Sequence, residues 1–477
     1  MVTAINGFAK KQLDYVKNGV VQHCGGATLT LTYPCLNLIC LFLVINFQMK
    51  KYSFLLPALL LIMLNGYSQD TTQHIIPNRK NSIAQQKKPY VVLISADGFR
   101  YDFARRYHAE NLIRLGGKGV SAASMIPSYP SVTFPNHYAI VSGLYPSHSG
   151  LVNNTFYDRA RNDRYAMGNK EKVADGTWYG GAPLWVLAEQ QKMLSASFYW
   201  VASEAEIQGI KPTYYYVYNE KIDINNRIAT VVNWLKLPPA ERPHLITFYL
   251  PQVDHAAHLY GPESPETEHE VHFVDSAVNE LQKAVKTTGL DVNFIFVSDH
   301  GMAKVDNQNP IGIPAAIDTS KFVISGDGIL VELYAKNKQD IQGTYNALKT
   351  EADGYDVYLK TNVPAHLHYG TTDDWHNRIG DILLVPRFPQ IFKLWSNGKK
   401  INPGWHGYDP SVVKEMQASF YAWGPAFKKR LIVPAFKNVS VFNLISEILG
   451  IKHNGKIDGT DELARKILVR KIHKHKR

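Results

Sequence analysis

Three apolar runs in the chain end on side chains of the types that ligate metals. VVLISADG delivers Asp97, FYLPQVDHAAH delivers Asp254 with His258 four residues later, and FIFVSDHG delivers the adjacent pair Asp299 and His300. A further histidine, His406, stands in the glycine-containing turn PGWHGYDP. Singly, each has an ordinary explanation: an aspartate after a strand is a common cap or turn residue, and a loop histidine is commonly a surface one. As a set they offer carboxylate oxygens and imidazole nitrogens with no thiolate, a donor combination that suits catalytic zinc with a position left open. Six such ligands divide into two groups of three, and two cations about 3.5 to 4 Å apart clamp both the attacking and the leaving oxygen of a phosphoryl group. The expected cofactor is therefore a pair of zinc ions.

A nucleophile for that chemistry stands in SYPSVTFPNHYAIVSGLYPSHSG, residues 128–150, which has no charged residue. The Thr133 hydroxyl has too high a pKa to attack unaided at neutral pH, and a nearby dication stabilises the alkoxide. Ahead of the helix expected over NHYAIVSGLY, with Pro135 in a first turn, Thr133 would meet the field of exposed backbone N–H groups that holds a phosphate. The same position also suits a plain helix N-cap, which threonine commonly fills.

The elements that must position these groups follow from the apolar pattern. With 477 residues, 45% of them hydrophobic, the chain buries a large core. PYVVLISADG, HLITFYL (244–250), NFIFVSDHG (293–301) and DILLVPRF (381–388) are continuous apolar runs without alternation. Such runs predict strands covered on both faces, as in a parallel sheet. Ser264 and Pro265 predict a capped helix start, followed by Val271, Val274, Val278, Leu281 and Val285 at steps of three and four, with Gly289 at the stop. Asn438 is expected to cap a second helix through VFNLISEIL, ending at Gly450. Strands alternating with helices imply an α/β sandwich, whose reacting groups gather beyond the carboxyl ends of the strands.

The ends of the chain read differently. MKKYSFLLPALLLIMLNGYSQD has the charged start, apolar middle and small polar close of a secretory signal peptide, assigned to 49–68. Residues 1–48 are read as an upstream extension whose apolar run, 33–47, is short for a membrane span; an uncleaved leader acting as a membrane anchor is the alternative. Cys24, Cys35 and Cys40 all fall in this leader, so the mature part needs neither disulfides nor thiol chemistry. The expected location is the periplasm or the exterior. Setting aside the five lysines and one aspartate of residues 1–68 leaves 47 basic against 40 acidic residues, a mild excess partly carried by the tail KILVRKIHKHKR. The expected organisation is a polar linker over 69–88, one catalytic domain over 89–455 and a basic tail over 456–477.

From about Pro89 to Gly455 the chain resembles the nucleotide pyrophosphatase/phosphodiesterases of the alkaline phosphatase superfamily. ISADGFR, PSVTFPNHY, GLYPSHSG, VDHAAHLYGP, VSDHGM and WHGYD occur in that family's order. The resemblance implies an alkaline-phosphatase-like sandwich with a largely parallel central sheet and helices on both faces. It assigns one zinc to Asp254, His258 and His406 and the other to Asp97, Asp299 and His300, with Thr133 joining the second as ligand and nucleophile. It matches Asn154 to a phosphate contact, with Asn153 the alternative; an amide donates to a phosphoryl oxygen without adding charge. It further points to Phe134 and Tyr218 as an aromatic slot for a nucleobase, since two π faces sandwich a base without reading its edge. Tyr214, Tyr215 and Tyr216, beside Tyr218, also read as a half-buried strand or loop face.

The chain departs from the family where Trp-Pro-Gly-Ser is replaced by WVAS, Trp200 to Ser203, followed by Glu204, at an expected wall of the substrate pocket. His137, His148, His255, His366 and His368 exceed the ligand count and are read as structural. The implied activity is hydrolysis of nucleotide phosphodiester or pyrophosphate bonds, releasing nucleoside 5′-monophosphates through a threonine-linked nucleotidyl intermediate. The expected partner is a small nucleotide or other phosphodiester, without specific nucleic-acid recognition and without a membrane span in the mature form. The rivals are a phosphomonoesterase, which would want an arginine for the extra charge, a phospholipid-headgroup phosphodiesterase, and a catalytically inactive binding protein.

Overall fold

The computed structural model describes residues 71–394 and 400–469. The expected signal peptide, the upstream extension with its three cysteines and the tail beyond residue 469 lie outside the described residues.

A nine-stranded sheet forms the centre: β1 (His74–Ile75), β2 (Tyr90–Ala96), β3 (Val120–Ala122), β4 (Ser195–Phe198), β5 (Tyr214–Tyr216), β6 (Leu245–Leu250), β7 (Val292–Val297), β8 (Phe420–Trp423) and β9 (Leu431–Val433). Across the sheet they run β1-β5-β4-β6-β2-β7-β8-β3-β9. From β5 to β7 every neighbouring pair is parallel, as the apolar runs predict, whereas β8 is antiparallel to both of its neighbours.

Alternate residues of β2 feed two cores. Val91 and Leu93 pack with α2 (Thr133–Ser142) and α6 (Ser440–Leu449), while Val92 and Ile94 pack with α1 (Glu110–Lys118), α3 (Ile224–Lys236) and α5 (Pro265–Lys286). A strand that buries both sets of side chains has no face left for polar residues, which is why these runs do not alternate.

Helix α5 follows its expectation closely. Ser264 Oγ accepts from Thr267 N–H at 3.1 Å, Pro265 is the first helical residue, and all five apolar residues are buried. For α6 the stop is as expected, at Gly450 with φ +68°, but Asn438 is not the cap. Its amide accepts from Ser128 Oγ and donates to Asn136 Oδ1, both at 2.9 Å, and Val439 takes the N-cap position. A fully buried amide must find partners, and these long-range ones win over a local cap.

DILLVPRF does not join the central sheet. Ile382–Pro386 belongs to a separate antiparallel sheet, between Val331–Ala335 and Tyr355–Leu359, with Phe322–Gly326 at the edge. An apolar run reports burial on two sides without saying which sheet provides it. Segments on either side of residues 89–455 are structured as well. Within the expected linker, β1 pairs with β5, and Asn81 accepts from Leu194 N–H and donates to the carbonyls of Pro239 and Arg242. Within the expected tail, α7 (Glu462–Ile467) buries Leu463, Ala464 and Ile467 in the main core. A few apolar or amide anchors tie down segments whose overall composition is polar.

The second sheet carries a buried carboxyl, Glu332, which accepts from Gly380 N–H at 3.1 Å and Tyr334 O–H at 3.2 Å. Burial pushes its pKa up to about 8. The unfolded chain loses this proton first, so Glu332 favours folding at low pH, and stability falls as pH rises from the ordinary glutamate range through the raised value. Glu332→Gln should remove this slope, flattening stability by up to a few kcal/mol across about pH 4 to 8, as read by urea unfolding.

Candidate active site

Strands β6, β2 and β7 are neighbours, with Leu250 level with Ala96 and Val297 level with Ser95. Their carboxyl ends therefore deliver Asp97, the 254–258 segment and the Asp299–His300 pair to one edge. Asp254 and His258 lie one turn apart on α4 (Gln252–Tyr260), on one helix face. His406 follows the bridge residues Gly404–Trp405, which pair with Ala303–Lys304 just after His300. Two glycines permit this convergence. A Cβ on Gly98, at φ +67°, would stand 2.9 Å from Asp254 Cα, and one on Gly404 would stand 1.9 Å from Ala257 O.

Asp254, His258 and His406 form one group. Asp254 Oδ1 lies 3.5 Å from His258 Nε2 and 3.7 Å from His406 Nε2, and the two Nε2 atoms are 3.1 Å apart. In the second group, His300 Nε2 is 2.9 Å from Asp299 Oδ2, 3.4 Å from Asp97 Oδ1 and 3.1 Å from Thr133 Oγ1. The groups adjoin: ligand atoms of Asp97, Asp254 and His300 also lie within 4.8 Å of one another, as do those of Asp97, His137 and Asp299.

The residues fit divalent cations. Asp97 Oδ1, Asp254 Oδ1 and Asp299 Oδ2 are buried without a hydrogen-bond partner, a costly arrangement for carboxylates. His258, His300 and His406 each turn Nδ1 to a backbone carbonyl, those of Gly404 at 2.7 Å, Gly301 at 2.9 Å and Ser131 at 2.9 Å. That contact places the ring hydrogen on Nδ1 and leaves Nε2 as a lone pair aimed at the carboxylates, the usual outer arrangement of metal-ligating histidine. Acceptors converging on acceptors call for positive charge between them.

The titratable groups register the same crowding. Burial, then the Asp299 and Asp254 charges, holds the Asp97 carboxyl well above the usual range, against the opposing Tyr249 hydroxyl, which donates to Asp97 Oδ2 at 2.6 Å. Burial would raise Asp299 too, but His300 and His137 outweigh it and hold it well below. His300 is correspondingly raised: burial opposes its charged form, and Asp299 more than compensates. Burial, with His300 and His258 beside it, pushes His406 well below the ordinary histidine range, leaving it in the neutral form that ligates.

Thr133 is not the N-cap; it is the first residue of α2, and Val132 precedes it in extended conformation. Asn154 Oδ1 accepts from Phe134 N–H at 2.9 Å, so the asparagine side chain sits over the first turn of α2, beside Thr133. Asn153 is buried and accepts from Asn154 N–H at 2.7 Å. Phe134 is half-buried, 6.4 Å from the Tyr165 ring. Tyr218 is 41% exposed, its hydroxyl donates to Glu220 at 2.6 Å, and its ring edges onto Tyr249 at 5.9 Å. The Phe134 and Tyr218 rings make no direct contact with each other. Tyr214 and Tyr215 are buried in β5 and Tyr216 is half-buried.

Three residues beside this site have contacts that the sequence did not show. Trp200 is buried, its Nε1 donating to His137 O at 3.1 Å. His137, read as structural, faces Asp299 and the Thr133 carbonyl. Tyr249 holds Asp97 yet looks in the sequence like any strand residue; His137 at least carried the signal of standing four residues after Thr133. The other surplus histidines lie in different contacts: His148 with Asp458 and Asp373, His366 with Asp409, His368 stacked on Tyr145, and His255 near Glu220.

Residues 91–409 match the family described as type I phosphodiesterase / nucleotide pyrophosphatase. The chain belongs to this family. Ectonucleotide pyrophosphatase/phosphodiesterase family member 1 of Mus musculus is 33% identical over 410 residues, 82% of this chain and 44% of the relative. An uncharacterised pyrophosphatase/phosphodiesterase of Schizosaccharomyces pombe is 32% identical over 394 residues, 79% of this chain and 80% of the relative. The venom phosphodiesterase of Macrovipera lebetinus is 32% identical over 374 residues, 76% and 43% of the two chains. The match thus covers less than half the length of mouse family member 1 and of the venom phosphodiesterase. Murine ectonucleotide pyrophosphatase/phosphodiesterase 5 superposes with TM-score 0.74 at 25% identity, covering 80% of this chain and 100% of its own. An inactive threonine-to-alanine variant of that murine protein, in complex with AMP, superposes equally well. The fold is the alkaline-phosphatase-like α/β sandwich, with a mostly parallel sheet and helices on both faces.

Proposed function

We propose that this family member hydrolyses nucleotide phosphodiester and pyrophosphate bonds, releasing nucleoside 5′-monophosphates by way of a nucleotidyl group carried on Thr133. The observation that supports it most strongly is the placement of Thr133 Oγ1, 3.1 Å from His300 Nε2 at the start of α2, over two adjoining ligand groups with unpaired carboxylate oxygens. Two zinc ions, held by Asp254, His258 and His406 and by Asp97, Asp299 and His300, would neutralise the phosphoryl oxygens and ease ionisation of the hydroxyl.

The chain's own residues then do the positioning. Thr133 Oγ forms its bond to phosphorus in line with the departing oxygen, and water later breaks that bond to free the monophosphate and restore the hydroxyl. The Asn154 NH₂ donates to a non-bridging oxygen, because its own oxygen is occupied by Phe134 N–H. The positive end of α2 favours the same anion. Phe134 and Tyr218, on separate elements, would hold the base.

Among the described residues no arginine or lysine side chain bonds to Asp97, Thr133, Asn154, Asp254 or Asp299, which favours a diester over a monoester. The murine relative's complex with AMP supports a nucleotide. Turnover of a nucleotide p-nitrophenyl ester, p-nitrophenyl phosphate and p-nitrophenyl phosphocholine separates the rivals. The nucleotide ester is expected to exceed the other two in kcat/KM by about 10-fold or more. A higher value for phosphocholine would replace the base slot with a headgroup site, and no turnover of any of the three would favour the inactive binding protein. Among the described residues no helix is long and apolar enough to cross a membrane. Export after leader cleavage is part of the proposal, and the mass of the mature amino terminus tests it.

A further inference from the structure

His137 stands one turn after Thr133 on α2 and is fully buried. Its Nδ1 lies 3.0 Å from Thr133 O and 3.3 Å from Asp299 Oδ2, and its Nε2 lies 2.8 Å from Ser95 Oγ. Both neighbours of Nδ1 are acceptors, so that nitrogen carries a hydrogen, and Nε2 faces the Ser95 hydroxyl. Rings of Trp200 and Tyr249, each 5.2 Å away and edge-on, fix the imidazole plane, and Trp200 also ties down the His137 carbonyl. One side chain thus touches β2 through Ser95, the nucleophile's helix through Thr133, and the end of β7 through Asp299.

We propose that His137 is a positioning residue for the reaction, setting the Asp299 carboxylate against the Thr133 turn with its Nδ1–H. The proposal rests on the reading of Asp97, Asp299 and His300 as a zinc group. Asp299 Oδ1 is already engaged by Gly98 N–H at 3.3 Å, and the Oδ2 atom that faces His300 has no hydrogen-bond partner to hold it. The Nδ1–H dipole points a fixed positive end toward Oδ2 at 3.3 Å, and it is carried by the same helix turn as Thr133. Carboxylate orientation and hydroxyl position are therefore coupled through a single ring. Outer partners of this kind commonly set metal affinity through ligand orientation.

The test compares His137→Leu, which keeps bulk without a donor, with His137→Asn, whose amide NH₂ replaces the Nδ1–H, and with Ser95→Ala, which removes the hydroxyl that orients the ring. Zinc content and chelator-competition affinity are measured for each, beside kcat and KM on the nucleotide p-nitrophenyl ester. His137→Leu is expected to weaken one of two zinc ions about 10- to 100-fold and to lower kcat with KM within about twofold, and His137→Asn to recover most of both losses. Ser95→Ala should show a smaller loss at the same zinc, and gives the answer if His137→Leu does not fold. Wild-type zinc affinity in both His137→Leu and Ser95→Ala, or a His137→Asn no better than His137→Leu, overturns the proposal. If the wild-type protein turns over none of the esters, the functional reading falls while the zinc measurements still decide the role of His137.

Discussion

Thr133→Ala is expected to reduce turnover of the nucleotide ester by about a thousandfold or more while leaving fold and zinc content close to wild type. The side chain is half-exposed, it caps nothing, and its Oγ1 has one close polar neighbour, His300 Nε2. Alanine is at least as good a helix former as threonine, so α2 keeps its first turn, and little packing is lost. What disappears is the atom proposed to form the bond to phosphorus. Thr133→Ser keeps a hydroxyl and should retain a measurable part of the activity, which separates loss of the nucleophile from a disturbed helix start. Turnover above about a tenth of wild type in Thr133→Ala would remove threonine from the chemistry and leave direct attack by water.

Asp254→Ala should have an effect of similar size by another route. Asp254 is the member common to two ligand groups, with His258 and His406 on one side and with Asp97 and His300 on the other. Its removal is expected to weaken zinc at both, whereas His406→Ala should weaken only one. The two kinds of stability should part company. Asp254 helps to raise the Asp97 carboxyl, so without metal the substitution relieves a like-charge contact, and the metal-free variant should melt no lower than the metal-free wild type. The increase in Tm on adding zinc should shrink sharply, because that increase reports cation bound to the folded state alone. Melting with and without chelator, beside elemental analysis, measures both. Two zinc ions retained in Asp254→Ala would show that the groups are independent and that the shared oxygen is incidental.

Much of the site was legible because its ligands sit at strand ends. Asp97, Asp254 and Asp299 each follow a continuous apolar run, and a run of that kind both predicts a covered strand and points to where its last residue emerges. His258 was legible from helical spacing to Asp254. Thr133 and Asn154 were less so, since the bland reading of each, a cap and a turn residue, is common; that Thr133 lies inside the helix and Asn154 reaches across to Phe134 is visible in three dimensions alone. Tyr249 and His137 illustrate the limit. Each is an ordinary member of its element by pattern, and each acquires a role from a neighbour more than 150 positions away, Asp97 for one and Asp299 for the other.

By itself the amino-acid order determined the donor types of the candidate site, the alternation of strands and helices, the course of α5 and the end of α6, because these depend on residue type and on short periods along the chain. Tertiary structure decided the rest: that Ile382–Pro386 joins a second sheet, that Asn438 serves Ser128 and Asn136 rather than a helix end, that β1 and α7 are anchored, and that Asp254 faces two groups at once. The physical reason is common to all four. A buried polar or apolar group must be satisfied by whatever atoms the folded chain brings within a few ångströms, and that choice is made between segments whose separation along the chain carries no local signal.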